Sequence, residues 1–243
     1  MSRFAVTVPI ALALLAMVGL AGAGTSEGVL GDGNVSLLYN AGTGSLTVYS
    51  DGNALDALSI ESAGSLMDPN LANLPSEIVD GHDGYVIKNA SADIIGFIAF
   101  RHWDNPQVLV DTGWNLGPIL PEGLDEATLL ADMTIEYSLW DFYEGANLGD
   151  LLYGIPGDAN LDGKVSLADL SALAGNWGSA SVGFVEGDFN DDNNVSLADL
   201  SALAGNWGFG TETGTAMAPS AVPEPATLAL LAVGCAGIVR RKR

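Results

Sequence analysis

The chain has 243 residues, of which 30 are acidic and 8 basic, giving a formal net charge of −22. Such a balance excludes nucleic acid as a sensible partner, because phosphate contacts need Lys and Arg; it also disfavours anionic membrane surfaces and favours solubility through self-repulsion. The single cysteine, Cys235, lies close to the C-terminus, so no disulfide staples the body of the protein.

At the N-terminus, Arg3 precedes an apolar run, Phe4–Leu20, and the small-residue site Ala21-Gly22-Ala23. This is the order of a signal peptide spanning 1–23, with the mature chain starting near Gly24, and a retained transmembrane anchor is the alternative.

Residues 24–150 have the length of one ordinary domain. Short β-favouring runs alternate with Gly/Asn/Asp turns: Val35–Tyr39, Leu46–Ser50, Leu58–Glu61, Gly84–Ile87, Asp93–Phe100, Val108–Val110 and Met133–Trp140. Asn40–Gly44 reads as a hairpin loop and Asp51-Gly52-Asn53 as the next turn. Met133, Ile135, Tyr137 and Leu139 alternate with Thr134, Glu136 and Ser138, so the strand has one apolar face. Leu124–Ala131 predicts one or two helical turns, with Glu122, Asp125 and Glu126 as its solvated start. The pattern predicts a mainly β sandwich, immunoglobulin-like or jelly-roll-like. Its opening, Asn34–Ser50, loosely resembles secreted cohesin-like or carbohydrate-binding sandwiches.

Nothing in this region selects a catalytic constellation. Acids are too numerous for spacing to pick out a glycosidase pair, and no Ser motif, Cys nucleophile or HExxH is present. His82 reads as part of a polar turn and His102 as an edge-strand or loop residue. Trp103, Trp114 and Trp140 allow a face on which a sugar could stack, although core roles suit at least two of them. The chain therefore reads as more a binding than a catalytic protein, with no catalytic residue assigned.

Residues 151–210 carry a near-perfect duplication. Gly157–Gly178 and Gly187–Gly208 lie thirty residues apart and differ at four positions. A calcium loop of the EF-hand type takes ligands from positions 1, 3, 5, 7, 9 and 12, the seventh through its carbonyl. Counted from Asp158, these are Asp158, Asn160, Asp162, the Lys164 carbonyl, Ser166 and Asp169. Counted from Asp188, they are Asp188, Asn190, Asp192, the Asn194 carbonyl, Ser196 and Asp199. An all-oxygen set with three carboxylates and no Cys or His suits Ca²⁺ over zinc or copper, and magnesium prefers a smaller, wetter shell. The expectation is two Ca²⁺ sites. Position 6 needs a left-handed turn, which Gly163 and Asn193 tolerate.

Each loop runs into a predicted helix capped by Ser166 or Ser196, with Asp169 or Asp199 completing a capping box. Leu167, Leu170, Leu173 and Trp177 form one apolar stripe, repeated by Leu197, Leu200, Leu203 and Trp207, and both stripes are expected to pack against each other. Gly178 and Gly208 are the predicted stops, while Leu151–Pro156 and Ser179–Gly187 read as connectors.

A loop followed by one helix, written twice, resembles the type I dockerin family over about 156–208. Asp158, Asn160, Asp162, Gly163, Val165 and Asp169 match its pattern, as do their second-copy equivalents except Asn193. The resemblance implies a small all-α, EF-hand-like calcium module that docks onto cohesin-like partners, often in assemblies acting on extracellular polysaccharide. Positions 10 and 11, where that family reads its partner with small hydroxyl residues, are here Leu167–Ala168 and Leu197–Ala198.

A Thr/Ala/Gly/Pro-rich stretch, 211–221, reads as a flexible linker. Residues 222–243 then combine Val222-Pro223-Glu224-Pro225, an apolar run Ala226–Val239 and Arg240-Arg241-Lys242-Arg243. The run is short for a full span of about 20 residues, and the basic end favours the cytoplasmic side. This tail resembles the PEP-CTERM sorting signal of Gram-negative bacteria. The resemblance implies recognition by an exosortase, transient membrane anchoring, and passage to the cell surface or extracellular matrix. Plain retention as an anchor is the alternative.

Overall fold

A computed structural model describes residues 25–53, 55–72, 84–101, 113–139 and 147–211, with the backbone alone described at 56, 84–89 and 97–101. The signal segment, His82, His102, Trp103, Val108–Val110, Trp140 and the sorting tail lie outside the described residues.

Ten strands are described: β1 Ser26–Glu27, β2 Ser36–Asn40, β3 Leu46–Tyr49, β4 Leu55–Ser62, β5 Gly84–Ala90, β6 Ile94–Arg101, β7 Trp114–Gly117, β8 Met133–Leu139, β9 Asn147–Leu148 and β10 Asp150–Gly154. The helices are α1 Glu126–Asp132, α2 Leu167–Gly175 and α3 Leu197–Gly205. Strands group into two five-stranded sheets, ordered β1-β10-β2-β3-β7 and β5-β6-β4-β8-β9. The second sheet is antiparallel throughout. In the first, β10 runs parallel to both β1 and β2, whereas β2-β3 and β3-β7 are antiparallel. The architecture is thus mixed: two sheets with three α-helices among the described residues.

Turn chemistry fixes the β2–β3 hairpin. Gly44 N–H donates to the Asn40 carbonyl at 2.9 Å, and Asn40 N–H donates to Ser45 at 2.9 Å. Asp51 and Gly52 follow with φ of 49° and 77°, as a tight left-handed turn requires. Helix α1 begins at Asp125, whose carboxylate accepts from Thr128 N–H at 2.9 Å.

The apolar side chains divide by strand parity. Leu37 and Tyr39 of β2, Leu46 and Val48 of β3 and Leu151 of β10 join Leu58, Ile60, Ile95 and Ile135 of the second sheet in one buried cluster. On the opposite face, Leu38, Tyr49 and Leu152 join Val165, Leu173, Phe184, Phe189, Val195 and Leu203 in another. The first sheet is therefore buried on both faces, as in a layered α/β protein. Each fully buried Leu contributes roughly 1.5–3 kcal/mol, so the duplicated segment is a structural layer on that sheet.

Strands β1, β7 and β9 fall outside the runs read as strands along the chain, and two further departures bear on the repeat. Leu151–Pro156, which reads as a connector, contains most of β10, paired on both sides within the first sheet. The boundary drawn at 150/151 thus falls inside a strand, and one compact unit continues to Phe209. The helices also end at Gly175 and Gly205, capped by Asn176 and Asn206, before reaching Gly178 and Gly208. The apolar stripe consequently breaks up. Leu173 and Leu203 are buried, but Leu167 and Leu197 are each 68 % exposed, and Trp177 and Trp207 are 52 % and 53 % exposed.

Candidate metal centre

Both loops fold on the same plan. Asp158 is fully buried; its carboxylate accepts from Asp162 N–H at 3.1 Å and Gly163 N–H at 2.8 Å. Asp188 repeats this with Asp192 N–H at 3.2 Å and Asn193 N–H at 2.7 Å. Position 6 is left-handed in both copies, with φ of 76° at Gly163 and 63° at Asn193. That turn brings the amides of positions 5 and 6 back onto the first aspartate.

The twelfth position closes each loop. Asp169 accepts from Asn160 N–H at 3.3 Å through one oxygen, and from Ser166 N–H at 2.8 Å and Ser166 Oγ at 3.1 Å through the other. Asp199 accepts from Asn190 N–H at 3.3 Å, Phe189 N–H at 2.9 Å, Ser196 N–H at 2.8 Å and Ser196 Oγ at 3.2 Å. The capping boxes are present in both helices. Between these ends, Asn160 and Asp162 form short turns with the chain that follows, as do Asn190 and Asp192. Lys164 and Asn194 are exposed, so their side chains take no part in the loop interior.

The halves interlock. The Val165 N–H donates to the Phe209 carbonyl at 3.0 Å and the Val165 carbonyl accepts from Gly208 N–H at 2.9 Å, while Val195 pairs in the same way with Ser179 and Gly178. Asn176 Nδ2 donates to the Glu186 carbonyl at 3.0 Å, and Asn206 Nδ2 to that of Pro156 at 2.7 Å. Each half thus pins the entry to the other half's loop.

Electrostatically the centre concentrates buried acids. Asp158, Asp169, Asp188 and Asp199 are at most 2 % exposed. Burial raises Asp158 from the ordinary 3.8 to about 6 against the lowering effect of its amide partners, with Asp169 and Asp162 adding repulsion. Burial likewise raises Asp188 to about 6, with further repulsion from Asp191 and Asp199. Burying a carboxylate is costly unless it is hydrogen-bonded or paired.

Among the described residues, no three His, Cys, Asp or Glu side chains converge into a metal cluster. The oxygens of Asp158 and Asp169 are instead turned toward loop amides. A carboxylate has about four lone-pair sites, so these bonds leave acceptor capacity on each. The all-oxygen donor set, the left-handed sixth position and the buried aspartates fit a hard divalent cation.

The positions at which the two copies differ also carry structure. Asp191, where the first copy has Leu161, accepts from Asn40 Nδ2 at 2.9 Å, Thr43 Oγ1 at 2.5 Å and Asn115 Nδ2 at 3.2 Å. The polar-for-apolar exchange between otherwise matching copies was the available signal.

A groove of about 860 Å³ lies beside this contact, lined by Thr43, Ser45, Thr47, Trp114 and Glu122 on one side and by the second loop on the other. Among the described residues, no helix is long and apolar enough to cross a membrane.

Compared with known proteins, residues 221–243 match the family model for the PEP-CTERM protein-sorting motif. No curated protein and no solved structure matches the chain. The chain thus carries a C-terminal sorting motif, consistent with exosortase-dependent sorting of a secreted or surface protein.

Proposed function

We propose that this is a non-catalytic secreted or surface protein in which a β-sandwich carries a dockerin-like interaction module built around two Ca²⁺ sites. The observation that carries the proposal is the repeated pair of buried aspartates, Asp158 with Asp169 and Asp188 with Asp199, at the ends of loops with left-handed sixth positions. Asp158, Asn160, Asp162, the Lys164 carbonyl, Ser166 and Asp169 would hold one ion, and Asp188, Asn190, Asp192, the Asn194 carbonyl, Ser196 and Asp199 the other. Bound Ca²⁺ supplies positive charge against these buried carboxylates. The chain's own part is to hold the first and twelfth carboxylates by backbone amides, so that little ordering remains at binding.

Exposed Leu167, Leu197, Trp177 and Trp207 offer a twofold-repeated apolar surface for a cohesin-like or other protein partner. Exosortase is the partner of the tail, with transient membrane anchoring before release to the surface or matrix of a Gram-negative cell. The test of this reading is twofold. The mature protein should have lost about residues 1–23 and the segment after Pro223-Glu224-Pro225 by mass, and Asp158→Ala with Asp188→Ala should abolish calcium-dependent stabilisation. An unprocessed mass would count against the sorting route, and unchanged stabilisation would count against the metal sites.

A second reading, in which the sheets bind extracellular polysaccharide and the repeat is a docking tag, is favoured by the hydroxyl-rich groove beside Trp114. Retention on insoluble glycan that is lost in Trp114→Ala supports it; absence of retention removes it. Hydrolysis during the same assay would identify an enzyme.

A further inference from the structure

The two loops share their ligand residues but not their surroundings. Of the four differences between copies, two meet the sheets: Ala159 becomes Phe189 and Leu161 becomes Asp191. Phe189 is buried and packs edge-on against Phe184, with ring centroids 5.2 Å apart. Its carbonyl accepts from Asn40 Nδ2 at 3.0 Å. Asp191 gathers Asn40 and Thr43 from the β2–β3 turn on one oxygen, and Asn115 from β7 on the other. Asn40 is itself buried, and its Oδ1 holds Gly42 N–H at 3.0 Å, so the turn and the loop share one network.

Position 4 is left-handed in both copies, with φ of 56° at Leu161 and 58° at Asp191. Asp tolerates that conformation better than Leu. Leu161, being apolar, can form no such bonds. The bonds between the halves are common to both loops, whereas the second loop is in addition fixed by hydrogen bonds to two strands, where the Leu161 side chain offers apolar packing alone.

Resting on the calcium reading above, we infer that Asp191 makes the two sites unequal: the second loop is preorganised by the sheet, binds Ca²⁺ more tightly, and reports its occupancy to the β2–β3 turn. Asp191 is a positioning residue, since both its oxygens are engaged by the sheet. Linkage makes the coupling reciprocal, so whatever orders the turn must also tighten the second site. The groove beside the turn then becomes calcium-sensitive, because Thr43, Asn115 and Asp191 line it.

The test is calorimetric Ca²⁺ titration of the full chain, with hydrogen exchange followed at Asn40–Ser45. Wild type should bind two ions in steps at least about tenfold apart, the equivalent of about 1.4 kcal/mol. Exchange at the turn should slow as the first equivalent binds. Asp188→Ala should remove the tighter step and Asp158→Ala the weaker. Thr43→Val changes neither loop's sequence nor charge; it should weaken only the tighter step, by about tenfold, and uncouple the turn. Asp191→Asn, which retains the side-chain size, should act in the same direction. Two equal sites in wild type, or unchanged steps in Thr43→Val, would overturn the inference while leaving calcium binding intact. No bound ion in wild type would overturn the calcium reading and the inference with it.

Discussion

A Cβ on Gly157 would stand 2.8 Å from the Cα of Leu203 in the other half of the repeat. The mirror contact, Gly187 against the Cα of Leu173, is 2.9 Å. Both glycines have φ near +109°, a conformation closed to most side chains. The helices can therefore touch the loop entries only because those entries lack side chains. Gly157→Ala should destabilise the protein by about 2 kcal/mol or more, combining strain with a clash against backbone. Gly163→Asn should cost far less, because nothing lies within 4 Å of that site and Asn193 already fills it in the second copy. Urea denaturation of both variants checks the contrast.

The stripes divide in the same way. Leu173→Ala should cost about 2–5 kcal/mol as a buried cavity. Trp177→Ala and Leu167→Ser, both at exposed positions, should stay within roughly 0.5 kcal/mol of wild type. Thermal melts of the three variants separate core from surface. A large loss in Trp177→Ala would place that ring in the core.

Acid should act oppositely on the metal-free and calcium-loaded protein. Asp158 and Asp188 are raised to about 6, so below that pH the folded chain takes up protons that the unfolded chain binds only near 3.8. Folded proteins that bind more protons gain stability as pH falls. In chelator, their contribution to stability therefore grows from pH 7 through 6 and is complete below 3.8. Buried Glu136, raised by burial and by Glu61, adds to the same trend. With calcium, protons compete for the same oxygens, so the stabilisation it gives should shrink at pH 5. Melts at pH 7 and 5, with and without calcium, check both signs. Asp158→Asn with Asp188→Asn should leave only the smaller trend from Glu136 and other acids.

Much of this was legible locally. Ser166, Asp169 and their second-copy equivalents mark the helix starts because capping is a matter of three or four consecutive residues. The Asn40–Gly44 hairpin and the left-handed turns at Gly163 and Asn193 follow from the same short-range chemistry. Strand β10 was not legible, since Leu151–Tyr153 becomes a strand through parallel pairing with Leu37–Tyr39, more than a hundred residues earlier. The exposure of Trp177 was hidden too. Its spacing continues the helical period, but the helix has ended at Gly175. Leu167 lies about 120° round the helix from Leu173, off the buried face. Asp191 is marked only by its exchange for Leu161, because its partners come from the distant β2–β3 turn and β7.

Ion stoichiometry decides whether the duplicated loops hold metal. Equilibrium dialysis of the metal-stripped full chain against Ca²⁺, with total metal measured by mass spectrometry, should find two ions per chain, and none in Asp158→Ala with Asp188→Ala. Fewer than one ion per chain, or the same uptake in that double variant, would contradict the account.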